Sequence, residues 1–288
     1  MTLRELTPDL RALADIRLLR LEDGPGRGQR LLVARNAAGV GFEVAVDRGF
    51  DLAALSLDQI ELGWHSPNQM RWPPPPPDGE GGFGFLRSFD GLLVTCGLDY
   101  YGPPRPGNPQ HGQIWSAQGR LTGYGLDDGV LCCEGVLRQA AVYGHVLELH
   151  RRITLDLGRL TLRIRDRVTN QGFVRSPHAR LYHVNFGWPL LDRDTRLTGF
   201  GDFAGHFAQV PPFPAPRRPR SWTIWPLCRM PMAWSASACT TPRWGRARMP
   251  GWAWYCNIRP RNCRPCWSGA VTGPAVLRWG SNPARRCP

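Results

Sequence analysis

The distribution of acidic side chains limits how much of this chain can form an ordinary fold. All 23 Asp and Glu residues lie in residues 1–202, and residues 203–288 contain none. The first part also holds enough arginine to be neutral, so the formal charge of +13 arises entirely in the tail, and the chain has no lysine. Because a globular domain carries both charge signs over its surface, we expect a regular domain in residues 1–202 only.

Within residues 1–202 the apolar residues follow the two-residue period of half-buried strands. Gly41–Asp47 alternates in this way, and Ile153–Leu157 and Leu160–Arg165 alternate on either side of Gly158-Arg159, which predicts a hairpin. Leu10–Leu21, with mixed spacing, is the segment where a helix remains an alternative. Short apolar runs bounded by Gly and Pro favour an all-β protein, a large antiparallel sandwich.

Two proline-rich segments predict exposed loops. Pro73–Pro77 cannot be a central strand, because proline lacks the backbone donor of a sheet. Pro103–Gly107 is the second loop, and it leads to His111.

Three places in the first part carry side chains suited to chemistry. His111 follows the second loop; His183 and Asn185 stand two residues apart, so both project from one face of a strand. Arg87 lies in an aromatic stretch, Phe85–Gly97. Each histidine by itself is more often a surface or core residue than a catalyst, so the hypothesis depends on their combination.

The sequence resembles the aldose 1-epimerase (galactose mutarotase-like) superfamily, and closely its uncharacterised "aldose 1-epimerase family protein" branch. The resemblance spans about residues 15–200. The matching phrases are Asp47–Asp51, Gly91–Leu98, His111-Gly112, Asp166–Asn170 and Leu181–Asp192.

The resemblance implies a galactose mutarotase-like β-supersandwich that binds a small carbohydrate in a cleft, with no cofactor and no metal. In such enzymes two histidines and a glutamate interconvert the anomers of an aldose by acid–base catalysis. His183 corresponds to the general acid and His111 to the residue that polarises the ring oxygen. Arg87 and Asn185 correspond to substrate-binding positions.

The expected catalytic base is missing, because the chain has no glutamate after Glu148. We can shift the reading frame so that the last base of each codon joins the first two bases of the next codon. With suitable codon choices, the shifted frame of Gly280–Pro283 encodes Ile-Glu-Pro, and that of Arg229–Trp234 encodes an acidic segment. We therefore interpret residues 203–288 as an out-of-frame, disordered tail. The domain of residues 1–202 would then be truncated, with its C-terminal strands missing or disordered, and the chain inactive.

Other interpretations stay open at this point. The tail's arginine and tryptophan could bind nucleic acid if the tail is genuine, although we expect no nucleic-acid partner. Cys263 and Cys266 form a single CxxC, a weak zinc signal. The domain could also bind carbohydrate without catalysis. The absence of a signal-like or membrane-spanning segment predicts a cytoplasmic protein, and oligomeric state cannot be derived.

The frame interpretation makes a prediction about the coding DNA. We expect a one-base slip near codons 198–220, because the composition changes there. Sequencing of this stretch in independent genomic and transcript samples tests it. An unbroken frame throughout would contradict the interpretation.

Overall fold

Strands make up most of the regular structure in the part of the chain that the structure describes. The computed structural model describes Glu5, residues 7–190 and, as backbone strands only, 196–197, 235–236, 239–240, 252–258 and 271–281. The strands are β1 (Asp15–Arg20), β2 (Arg30–Arg35), β3 (Val40–Ala45), β4 (Asp51–Leu57), β5 (Ile60–Glu61), β6 (Leu93–Leu98), β7 (Arg120–Asp127), β8 (Val130–Ala140), β9 (Val146–Asp156), β10 (Thr161–Asn170), β11 (Ala179–Val184), β12 (Arg196–Leu197), β13 (Ser235–Ala236), β14 (Cys239–Thr240), β15 (Trp252–Ile258) and β16 (Val271–Ser281).

Helical structure in the described residues is confined to single turns. These are the 3₁₀ segments Leu10–Ala12, Gly84–Arg87 and Ile114–Ser116 and one short helix at Gly79–Gly82. The region in which a helix was an alternative, Leu10–Leu21, forms the first 3₁₀ turn followed by β1.

Most of the described strands form two large antiparallel sheets, and β12 pairs with β14 in a separate two-stranded sheet. The first sheet has the order β1-β2-β3-β4-β6-β11, with β5 paired to β4. The second has the order β13-β15-β16-β10-β9-β8-β7. The predicted hairpin is confirmed as β9 and β10, which pair from Leu155 with Leu162 to Leu147 with Asn170.

The main core lies between the two sheets. Phe42 and Leu55 of the first sheet belong to the same buried cluster as Leu149 and Ile164 of the second. Alternation assigns the other residues of each strand to the opposite face, where β10 carries Arg163 and other polar side chains. The predicted all-β sandwich is therefore confirmed.

A buried charged network crosses this core. Arg151 of β9 is fully buried and donates from Nε and Nη2 to Asp166 of β10, at 2.9 and 2.7 Å. Its Nη1 reaches Asp51 of β4 at 3.3 Å. Burial alone would lower the pKa of Arg151, but the Asp166 carboxylate more than offsets this and raises it. The Tyr182 hydroxyl of β11 donates to Asp166 at 2.7 Å, so four strands meet at this network.

Most of residues 203–288 lies outside the described residues, including Cys263 and Cys266, the weak zinc signal for which no metal was expected. Within the tail, β16 pairs with β10 and β15 pairs with β16. The division at residue 202 and the out-of-frame origin of the tail stay predictions.

We expect Arg151→Met to lower the free energy of unfolding by about 3–5 kcal/mol, because it leaves Asp166 buried without its guanidinium. Arg152→Met is the matched control, since Arg152 is 53% exposed and paired with Glu134. Arg152→Met should lower the free energy of unfolding by about 0–1 kcal/mol. Urea unfolding of both variants measures the difference, and equal effects would contradict a special role for the network.

Candidate functional site

The candidate site lies on the face of the first sheet that points away from the main core. Along β11, Tyr182 and Val184 pack on the main core, whereas Leu181 packs on a second cluster with Phe85 and Trp115. His183 lies on the same face as Leu181, because alternate residues of a strand share a face. Antiparallel pairing sets His183 opposite Val94 of β6.

His111 reaches this face because two glycines let its loop lie against β6. Gly97 (φ +121°) and Gly112 (φ +75°) form a β-bridge, and Gly97 donates its N–H to the carbonyl of His111 at 3.0 Å. A Cβ at Gly97 would stand 2.3 Å from the carbonyl oxygen of Ala179, and one at Gly112 would stand 2.4 Å from that of Gly97. No larger residue fits at either position without moving the backbone.

The two predicted histidines come together in an aromatic enclosure. The ring centroids of His111 and His183 lie 5.5 Å apart, and the residues are 0% and 5% exposed. Phe85 stands edge-on to His111 at 4.8 Å, and Phe89 stands edge-on to His183 at 4.8 Å. The site thus combines two imidazoles with apolar walls.

Asn185 is the third predicted residue that the structure brings to this site. Its Oδ1 lies 2.6 Å from Nδ1 of His183, and its Nδ2 donates to the carbonyl of Gly91 at 2.9 Å. The residue is 1% exposed. The oxygen of the amide therefore holds the His183 ring, and its nitrogen holds the backbone of Gly91.

Burial makes both imidazoles poor proton binders in the resting protein. It lowers the pKa of His111 to about 3, with a further contribution from His183. It lowers the pKa of His183 to about 4, although the hydrogen bond with Asn185 acts in the opposite direction. Both rings are therefore neutral at pH 7.

Arg87 is paired with an acidic side chain at the surface. It ends the 3₁₀ turn Gly84–Arg87, and its Nε donates to Glu80 at 2.7 Å. The Arg87 side chain is 61% exposed. The contact with Glu80 uses one of the five N–H donors of the guanidinium.

The sequence did not single out several residues that shape the site. Trp64 packs at 5.2 Å from Phe89 and extends the aromatic wall. Arg48 is buried and donates to the carbonyl of Ser88, which fixes the backbone next to Phe89. Arg48 lies within Asp47–Asp51, one of the segments that resemble the superfamily. The sequence therefore marked this position, but it did not show that the side chain fixes the backbone next to Phe89.

The adjacent His65 behaves differently from the buried pair. Its side chain is half exposed, and its Nδ1 lies 3.7 Å from Oδ1 of Asp90. The Asp90 carboxylate raises the pKa of His65 above its ordinary value, against the effect of burial. His65 thus stays closer to protonation than His111 or His183.

The proline-rich loops lie beside the site. An open cavity of about 660 Å³ is lined by residues of both, including Pro77, Pro104 and Arg105. Among the residues described, no set of three or more His, Cys, Asp or Glu side chains is arranged to hold a metal ion. The described part of the chain also contains no helix of the length and apolarity needed to cross a membrane.

The fold with this site defines a class of protein. A candidate aldose 1-epimerase from Klebsiella pneumoniae subsp. pneumoniae MGH 78578 has a TM-score of 0.62 at 15% identity, over 92% of this chain and 74% of that one. Protein Slr1438 from Synechocystis sp. PCC 6803 has a TM-score of 0.50 at 10% identity, over 92% and 100%. The chain therefore has the galactose mutarotase-like β-sandwich fold of the aldose 1-epimerases, as the sequence resemblance implied.

Residues 26–206 match the model of the family described as a domain of unknown function, DUF4432, and the chain belongs to that family. A galactose 1-epimerase from Lactobacillus acidophilus NCFM is also similar, with a TM-score of 0.48 at 12% identity, over 92% of this chain and 98% of that one. No curated protein matches the chain in sequence.

We expect His183 and His111 to titrate with midpoints near pH 4 and pH 3, because burial disfavours the charged imidazole. NMR titration of the imidazole signals measures this, with signals assigned through His183→Gln and His111→Gln. In the same spectra His65 should titrate above the ordinary histidine pKa, because the Asp90 carboxylate favours the charged ring. Midpoints near 6.5 for the buried pair would contradict this account of the site.

Proposed function

We propose that the protein binds a free aldose, or a close derivative of one, beside His111 and His183 and interconverts its anomers. The observation that carries this proposal is the pair of buried imidazoles, with ring centroids 5.5 Å apart, inside an aromatic wall. Proton transfer at an anomeric centre needs a group that can accept a proton and return it, and a neutral imidazole can do so through its unprotonated ring nitrogen.

The enclosure suits a sugar in two respects. Phe89 and Trp64 are apolar surfaces against which the C–H face of a pyranose can pack, and Phe89 also contacts His183. The imidazoles supply the polar groups that select and orient hydroxyls. A small number of polar groups within apolar walls is typical of small-molecule sites.

In this proposal His183 exchanges a proton with the substrate and His111 polarises the ring oxygen. The ring opens when the anomeric hydroxyl loses its proton and the ring oxygen gains one; rotation about C1–C2 and closure then give the other anomer. Arg87 and Asn185 remain proposed contacts of the bound sugar. A cytoplasmic location also remains part of the proposal.

A second candidate function is carbohydrate binding without turnover. The absence of any glutamate after Glu148 favours it, because that is where the superfamily's base is expected. The two functions share a ligand and differ in whether the protein accelerates anomer exchange.

We expect His183→Gln and His111→Gln each to lower the rate of anomer interconversion by at least about 100-fold, the usual contribution of one acid–base group. Polarimetry or NMR exchange spectroscopy with a panel of freshly dissolved aldoses measures this rate. The control is His150→Gln, because His150 lies outside the buried face of β9 and should leave the rate unchanged.

Saturation-transfer NMR with the same aldoses separates the two functions. Binding that depends on His183, with no acceleration of anomer exchange by the unsubstituted protein, would establish the binding module. Neither binding nor acceleration across the panel would reject both functions.

A further inference from the structure

We infer that Asn185 is a positioning residue that holds His183 in the Nδ1–H tautomer, so that His183 begins the reaction as a base through Nε2. This inference rests on the proposed function. It also changes the role implied by the sequence resemblance, in which His183 donates a proton first and Asn185 contacts the sugar.

The orientation of the Asn185 amide follows from its two partners. The carbonyl oxygen of Gly91 can only accept, so the atom that faces it at 2.9 Å must be the donor Nδ2. Oδ1 then faces His183 at 2.6 Å. The flipped amide would set two carbonyl oxygens against each other, so the partners decide the assignment.

The tautomer of His183 follows from the same contact. An amide oxygen has no proton to give, so the hydrogen between Oδ1 and Nδ1 belongs to the imidazole. Nδ1 therefore carries a proton in both charge states of the ring. The proton that the ring gains and loses is the one on Nε2.

The backbone around Asn185 keeps this arrangement rigid. The Asn185 N–H donates to the carbonyl of Leu92 at 2.7 Å, and its own carbonyl accepts from Trp64 at 3.0 Å. Gly91, which supplies the acceptor for the side chain, adopts φ +93° in the turn before β6. At 1% exposure, Asn185 does not exchange these partners for bulk water.

The charge state of His183 decides whether it starts as acid or base. The rings of Phe85, Phe89 and His111 pack against it, and one of these, His111, is titratable. Burial lowers the pKa of His183 to about 4 and that of His111 to about 3, so neither ring is charged at pH 7. In the neutral Nδ1–H tautomer Nε2 carries the lone pair, and His183 accepts a proton.

The step balances without another acid. Nε2 of His183 takes the proton from the anomeric hydroxyl, and the O–H bonding pair becomes the second bond of the C1 carbonyl. The C1–O5 bond breaks, its pair goes to O5, and the imidazolium formed on His183 returns its proton to O5. Ring closure on the other carbonyl face runs these transfers in reverse, so His183 ends neutral and can serve without the glutamate that the chain lacks.

Nitrogen-15 NMR of the full chain with labelled histidine tests the tautomer directly. At pH 7 we expect His183 to show a protonated Nδ1 and an unprotonated Nε2. Asn185→Leu should abolish this preference, and Asn170→Leu should keep it. Asn170 is the matched control, because its amide also bonds at both ends, to Gly172 and Val174, away from the histidines.

Kinetics test the positioning role. In this inference Asn185 contacts the imidazole in place of the sugar, so Asn185→Leu should lower kcat for anomer interconversion about 10- to 100-fold while KM changes by less than about threefold. Asn185→Asp should restore much of kcat and raise the midpoint of the pH–rate profile by about one to three pH units, because a carboxylate favours the imidazolium. A purely structural asparagine would leave kcat and the tautomer of His183 unchanged in a folded Asn185→Leu variant.

The outcomes separate the inference from the proposed function. An active protein with a protonated Nε2 at pH 7, or an Asn185→Leu variant with unchanged tautomer and kcat, overturns the inference and leaves the function standing. An inactive protein with the Nδ1–H tautomer contradicts catalysis and the role of His183 as a base, while it supports the positioning by Asn185.

Discussion

The guanidinium of Arg151 joins the two sheets at the centre of the core. It binds Asp166 on the neighbouring strand of its own sheet and reaches Asp51 across the core. Asp51 in turn accepts from the backbone N–H of Thr95, and Asp166 accepts from Tyr182. A charge removed from water is tolerated only when its partners surround it, so these strands have little freedom to slide. One of them, β11, carries His183 on its opposite face.

The close approach of Gly97 and Gly112 is the second constraint on the site. It brings the loop of His111 against β6, beside the strand that carries His183. Phe85 then covers both rings and excludes water from them. The lowered pKa values of the two histidines follow from this cover, because the charged imidazole loses hydration there. The reactivity proposed for the pair is thus a consequence of packing.

Likeness of fold leaves the chemistry to be argued from the side chains. The structures similar to this one share its sandwich at 10–15% identity, which is too distant to transfer a residue's role. The chain lacks a glutamate beyond Glu148, yet it keeps two buried imidazoles and an asparagine that orients one of them. These residues are compatible with a mechanism in which a histidine is the base. They are not compatible with a mechanism that requires the glutamate.

The sequence by itself determined the strand character of the chain, the hairpin of β9 and β10, and the shared face of His183 and Asn185. These properties depend on alternation between near neighbours. Only the tertiary structure decided that His111 meets His183, that Arg87 turns to Glu80, and that Gly91 holds the Asn185 amide. The reason is physical: these contacts join residues of different elements, and the burial that sets their charge arises only when the elements pack together.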